Sequence, residues 1–213
     1  MTTSRVRLTF GLLVAFCASS GCTTTHNTRT YTDPSIGTKK ISSLAILPVL
    51  NAPLAQSESI RMNRELAQAV SRRNPSLQIL GPAESVEKLN SSGLVEDYDR
   101  YVVGLAQSGI PNKATLAKIG VALGVDAIMQ GQLLGLHQQD GQFGWRQGST
   151  TFALRYSIVS TRDGMLLWET VEEIRKRRQT TLSSSPQLQE VLPEAMQAVM
   201  QSIPAFTFAG ATP

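Results

Sequence analysis

The sequence predicts a single α/β (α+β) domain, a mixed β-sheet of about five strands packed by four or five helices and closed by a C-terminal β-hairpin and a final helix. Three stretches predict it. "SLAILPVL" at 43–50 is a short apolar run followed by an amphipathic helix pattern. "TFALRYSIV" at 151–159 alternates with period two and leads through Arg162-Asp163-Gly164 into "MLLWETVEEI" at 165–174. The last stretch carries Leu188, Val191, Leu192, Ala195, Val199 and Ile203 on one helical stripe.

Taken in chain order, the first strand at 43–50 has no polar alternation, which fits a strand covered on both faces. Pro48 has no amide to donate, so it belongs late in that strand, at an edge or at a bulge. From Glu58 to Arg73, Met62, Leu66, Ala69 and Val70 form one helical face. Ser57 is placed to cap this helix, Glu58 to complement its dipole, and Asn74-Pro75 to end it. "LQIL" at 77–80 reads as a second strand, and Gly81-Pro82 opens a short helix through Val86 and Leu89. Tyr98, Val102 and Leu105 mark a further helix over 95–107, broken at Gly109 and Pro111. Asn112 caps the next one, through Leu116, Ile119 and Leu123, and Gly124 suits the left-handed position that closes it. Three strands follow: 125–136, 151–159 and 165–174, the last two joined by an Asp-Gly turn. Pro193 predicts a kink in the final helix or its start.

The N-terminus has a different grammar. Arg5 and Arg7 precede the apolar segment Leu8 to Phe16, which is followed by the small residues Ala18, Ser19, Ser20 and Gly21. That order is a secretory signal pattern over residues 1–21, and its apolar run falls short of the roughly 20 residues a permanent membrane span requires. Cys22 follows at once. Residues 23–39 are Thr-rich and polar, with Pro34, Gly37 and no apolar period. A segment of this kind buries too little apolar surface to offset its ordering entropy, so 22–40 reads as a flexible tether. The folded domain is then expected over 41–204, with a disordered tail at 205–213.

Composition excludes several functions. The chain has 213 residues, 41% hydrophobic and 17% charged, enough for one core. Its formal charge is +4, of which Arg5 and Arg7 would leave with the signal segment, so no nucleic-acid partner is expected. The loop after the first strand, "NAPLAQSES", has no glycine to cradle a phosphate. Beyond the signal segment only His26, His137 and Cys22 supply His or Cys, too few for a zinc set, and no G-x-S-x-G elbow occurs. No catalytic residue, metal or cofactor is therefore expected. Two features suit partner contacts: Trp145 on the Gly-rich stretch 141–148, and the basic run Arg175, Lys176, Arg177 and Arg178. The alternative for the run is a solvated strand end balanced by Glu169, Glu172 and Glu173, while Trp168, beside Leu166 and Leu167, is expected in the core.

Ser20-Gly21-Cys22 closing a short apolar segment resembles the lipobox of bacterial lipoproteins, although Ser19 stands where that motif favours Leu. The resemblance implies lipid attachment at Cys22, and Thr23 in place of Asp favours the outer membrane. The alternative is ordinary cleavage that leaves Cys22 a free thiol. "LAILPVL" at 44–50, "LAKIGVALGVDAIMQGQL" at 116–133 and "YSIVSTRDGMLLWE" at 156–169 resemble the family of small envelope lipoproteins related to the curli-secretion and penicillin-binding-protein-activator lipoproteins. That resemblance implies a non-catalytic binding or assembly component of an envelope complex, facing the periplasm, with an envelope protein as partner. An oligomeric secretion-channel subunit and a periplasmic enzyme are the alternatives, and homo-oligomerisation stays open.

Overall fold

The computed structural model describes residues 22–50, 54, 56–142, 146–180 and 183–206. The signal segment 1–21, Trp145 and residues 207–213 lie outside the described residues. The fold is α+β: among the described residues, one mixed six-stranded sheet and five helices. The elements are β1 (Cys22–Thr32), β2 (Ser43–Ile46), α1 (Gln56–Arg73), β3 (Gln78–Leu80), α2 (Pro82–Ser91) and α3 (Val95–Ser108). They continue with α4 (Lys113–Leu123), β4 (Ala127–Gln139), β5 (Ser149–Ser160), β6 (Leu166–Arg178) and α5 (Leu188–Ser202). The strand order is β1-β6-β5-β4-β2-β3. β2 lies parallel to β3 and β4, and the remaining pairs are antiparallel.

Each face of the sheet carries its own apolar core. Leu44, Ile46, Met129, Phe152, Tyr156, Ile158 and Trp168 pack against α1 and α5. Ala45, Leu47, Ile128 and Val159 pack against α2, α3 and α4. The alternation along β2 therefore serves two cores, which is why it reads as unbroken apolar sequence. Pro48 ends regular pairing: the Leu47 amide donates to Met129 O, and the ladder resumes only with Leu50, whose amide donates to Gly131 O. Trp168 is fully buried, and its indole Nε1 donates to Ser202 O at 3.0 Å, locking β6 to the end of α5. Gly131 leaves room for the Tyr156 ring, which a Cβ at that position would meet at 2.6 Å.

Most local signals behave as read. Asn112 accepts the Thr115 amide at 3.0 Å and caps α4, and Gly124 closes that helix at φ 70°. Gly164 takes φ 72° in the β5–β6 turn. Ser57 is not a cap, because α1 begins a residue earlier and takes it into the first turn. Pro193 lies inside α5 rather than at its start.

The structure corrects the sequence reading at both ends of the domain. Residues 22–32 are not a flexible tether but an 11-residue strand, paired with β6 along its whole length. Residues 33–42 also belong to the fold, with Ile36 and Ile41 buried in the core against α1 and α5. At the other end, Phe206 is buried and its amide donates to Asn74 Oδ1 at 2.7 Å, so the tail expected from 205 is packed at its beginning. The buried Asn74 also donates from Nδ2 to Val70 O and Pro204 O, which ties the end of α1 to the chain that follows α5.

Candidate functional site

The basic run 175–178 lies inside β6, which extends beyond the expected strand end at 174. Strand alternation divides it. Lys176 and Arg178 face α5, where Lys176 Nζ meets Glu194 Oε1 at 2.5 Å and Glu190 O at 2.9 Å, and Arg178 Nη2 donates to Glu190 Oε1 at 2.7 Å. Arg175 and Arg177 take the opposite face and are exposed, and no carboxylate pairs with either among the described residues. The alternative drawn from the sequence has Glu169, Glu172 and Glu173 balance this run. The structure assigns that task to α5 instead. Glu169 pairs with Arg155, and Glu172 turns towards β1.

Glu190 is shared between the end of β6 and the start of α5. Its Oε1 also accepts the Gln187 amide at 3.0 Å in a capping arrangement. That amide first, then the Arg178 and Lys176 charges acting against partial desolvation, hold the Glu190 carboxyl below its usual range.

Cys22 begins β1 and lies opposite Arg178, whose Nη1 is 3.5 Å from its Sγ. Thr23, Thr24 and Thr25 lie opposite Arg177, Lys176 and Arg175. Cys22 and the basic run, far apart in the chain, thus meet at the same end of the ladder. Cys22 is half-exposed and forms no disulfide. The nearby connection 140–148 is fastened to this end: the Arg178 amide donates to Gly148 O at 2.9 Å, Gln147 Nε2 to Gln179 O at 3.2 Å, and Gln142 bridges the exposed Arg146.

A second polar cluster fastens β1 midway. Glu172 is fully buried, a costly placement for a carboxylate unless hydrogen-bonded. His26 Nδ1 donates to its Oε1 at 2.9 Å and the Thr28 hydroxyl donates to its Oε2. His26 Nε2 lies 3.9 Å from Glu194 Oε2. No amphipathic period marks these residues, and only the register with β6 reveals the cluster. His137, the other histidine considered, is exposed on β4.

A small cleft of about 50 Å³ opens between α3 and the sheet, lined by Leu105, Pro111, Gln130, Arg155, Ser157 and Glu169 among others. At its wall Tyr98 Oη donates to Gln130 Oε1, while the buried Arg155 Nε lies 3.6 Å from Glu169 Oε2 as an ion pair without a hydrogen bond. Among the described residues, no cluster of three or more His, Cys, Asp or Glu is arranged to hold a metal ion, and no helix is long and apolar enough to cross a membrane.

No protein-family model and no curated protein sequence matches the chain. Solved structures with a similar chain path align at low identity. A point variant of the PelC dodecamer from Paraburkholderia phytofirmans aligns at TM-score 0.45 and 11% identity, over 85% of this chain and 99% of that one. Lipoprotein GNA1162 from Neisseria meningitidis aligns at 0.40 and 16%, over 75% and 96%. The LpoB C-terminal domain from Salmonella enterica aligns at 0.37 and 13%, over 63% and 84%. Similarity of this size carries no functional argument and singles out no family.

Proposed function

We propose that the protein is a lipoprotein of the outer membrane, facing the periplasm, anchored through Cys22 and acting as a non-catalytic binding or assembly component of an envelope complex. The signal pattern ending at Cys22 carries the reading. The free, half-exposed thiol at the end of an edge strand is accessible to modification without disturbing either core, which supports it. Because β1 starts at the anchor, the domain has no slack: the sheet itself begins at the leaflet surface. Contacts with a partner are then confined to surfaces within one domain's reach of the membrane. Of the basic run Arg175, Lys176, Arg177 and Arg178 at the anchored end, Lys176 and Arg178 are held by α5, and the exposed Arg175 and Arg177 are the ones placed to meet lipid or a membrane-embedded partner rather than the distant cell wall.

Intact-mass and peptide spectrometry of the protein from detergent-solubilised envelopes tests the anchor. The expected product begins at Cys22 and carries acyl chains, and Cys22→Ala moves the protein to the soluble fraction. An unmodified thiol, or a mature chain beginning upstream of Cys22, overturns the reading. Affinity purification from the same extracts then seeks the partner.

The channel-subunit alternative draws on one observation. The outer edge of β1 presents 11 residues of strand with no further strand beside it among the described residues, a template for pairing with another chain. A ring-sized mass in detergent favours it; a monomeric mass removes it.

A further inference from the structure

We infer that the exposed cations at the Cys22 end, Arg175 and Arg177 on β6 with Arg146 on the adjoining connection, form a binding surface for the phosphates of anionic lipid headgroups. The inference rests on the lipid-anchored reading above for its location, and on the register and charge pairing for its chemistry.

The register places the surface. Arg175 lies opposite Thr25 and Arg177 opposite Thr23, within three rungs of Cys22. At about 3.3 Å per residue, the farther of the two stands about 10 Å from the anchoring rung. That is comparable with the ~8 Å screening length at physiological ionic strength. A leaflet entered by acyl chains on Cys22 therefore brings its headgroups within electrostatic reach of both side chains.

The pairing pattern selects the charges. Lys176 and Arg178 are consumed by Glu190 and Glu194, so they hold α5 to the sheet and offer little to a ligand. Arg175, Arg177 and Arg146 have no carboxylate partner among the described residues, and all three are exposed. Around Arg175, the directly opposed residues on both flanking strands are Thr25 and Thr151. These share its face and offer hydroxyls without competing charge. Besides Glu190 and Glu194, held on the α5 face by Arg178 and Lys176, two acidic residues lie in the neighbourhood. Asp140 is occupied by the Ser185 amide and hydroxyl, and Glu173 sits on the same face as Arg175 but farther from Cys22. An arginine fork suits a phosphate, whereas one nonspecific basic face of three charges is small for nucleic acid.

The opposite end of the sheet supplies an internal control. Arg72 and Arg73 close α1 and are exposed, next to Asn74 and shortly before β3. β3 pairs with β2 beside Asp126 and Ser160, at the end of the sheet away from Cys22. Neutralising that pair changes net charge equally without touching the proposed surface.

The test uses the chain from Cys22 onward carrying Cys22→Ser, so no acyl group contributes to binding, and measures co-sedimentation with vesicles at low salt. Vesicles of phosphatidylethanolamine with 30% phosphatidylglycerol are compared with vesicles of zwitterionic lipid alone. Each basic residue near an anionic surface contributes about fivefold in partition, so Arg175→Gln with Arg177→Gln is expected to lower binding to the anionic vesicles about 30-fold. Arg72→Gln with Arg73→Gln is expected to lower it less than threefold. Circular dichroism verifies that both double variants remain folded. Equal binding to both vesicle types overturns the inference, as does equal loss in the two double variants. Millimolar inorganic phosphate that binds the unlipidated chain and abolishes vesicle binding also overturns it, in favour of a soluble phosphate ligand. Because the vesicle assay contains no acylated protein, its failure is separate from an unmodified Cys22 in the mass spectrum.

Discussion

β1 and β5, strands of 11 and 12 residues, flank the same strand, β6, and pair with it antiparallel over nearly its whole length. Their side chains do different jobs. Along β5, Phe152, Leu154, Tyr156 and Ile158 are buried against α1 and α5, so breaking its pairing exposes core. Along β1 nearly every side chain is exposed, and few contacts fasten it: the ladder itself, the Thr30–Thr170 hydroxyl pair, and His26 with Thr28 on Glu172. The backbone hydrogen bonds are alike on the two sides of β6. Apolar burial stabilises one strand by several kcal/mol and does little for the other. β1 is therefore expected at the low-stability end of the molecule, opening without global unfolding.

The largest expected effect tests the core side. Trp168→Ala removes a fully buried indole and its hydrogen bond to Ser202 O, and is expected to cost about 3–5 kcal/mol in urea unfolding. A loss below 1 kcal/mol would mean that the α5 face is not the stabilising half of the sheet.

The next effect isolates β1. His26→Ala withdraws one donor from the buried Glu172, at an expected cost of about 1–3 kcal/mol. The loss should be local: amides of β1 exchange with solvent about tenfold or more faster, while those of β4 and β5 keep their protection. If β5 accelerates by the same factor, the two sides of β6 open as one unit and the contrast between them disappears.

The same contrast explains what the sequence made legible. β5 announces itself, because Phe152, Leu154, Tyr156 and Ile158 alternate along it on one buried face, and the Asp-Gly turn fixes its partner. β2 is equally plain, since two cores demand an unbroken apolar run. β1 has no such signal. Its Thr-rich composition suits both a solvated chain and a polar edge strand, and what decides between them is the exposed edge of β6, which exists only once the rest has folded. A β-branched residue at most positions of 23–32 was the available hint. The candidate site divides the same way. Cys22 and the basic run are each visible in isolation. Their adjacency is a matter of register between strands at opposite ends of the chain, and the carboxylates that pair Lys176 and Arg178 come from α5, beyond the range of any local pattern.

The smallest effect concerns how the segment after β1 is held. Lys39 Nζ donates to Asp163 Oδ2 at 2.9 Å, joining residues 33–42 to the β5–β6 turn. Burial alone would push the Asp163 carboxyl up, but hydrogen bonds from Lys39, Ser160 and the Met165 amide, with the Lys39 charge, outweigh it and hold the group at about 2. The folded value lies below the ordinary 3.8, so the protein gains stability from this group above about pH 4 and loses it as the pH falls towards 2. The carboxylate is about one-third exposed, and solvent screening reduces its contribution to about 1 kcal/mol. Asp163→Asn should therefore lower stability by about 1 kcal/mol at pH 7 and by progressively less below pH 4, where the wild-type advantage vanishes. Unfolding curves of the two proteins at pH 7, 4 and 2.5 measure that convergence. A difference that stays constant across the three would show that the clasp acts through packing rather than charge. It would also place residues 33–42 with the pH-insensitive core rather than with β1.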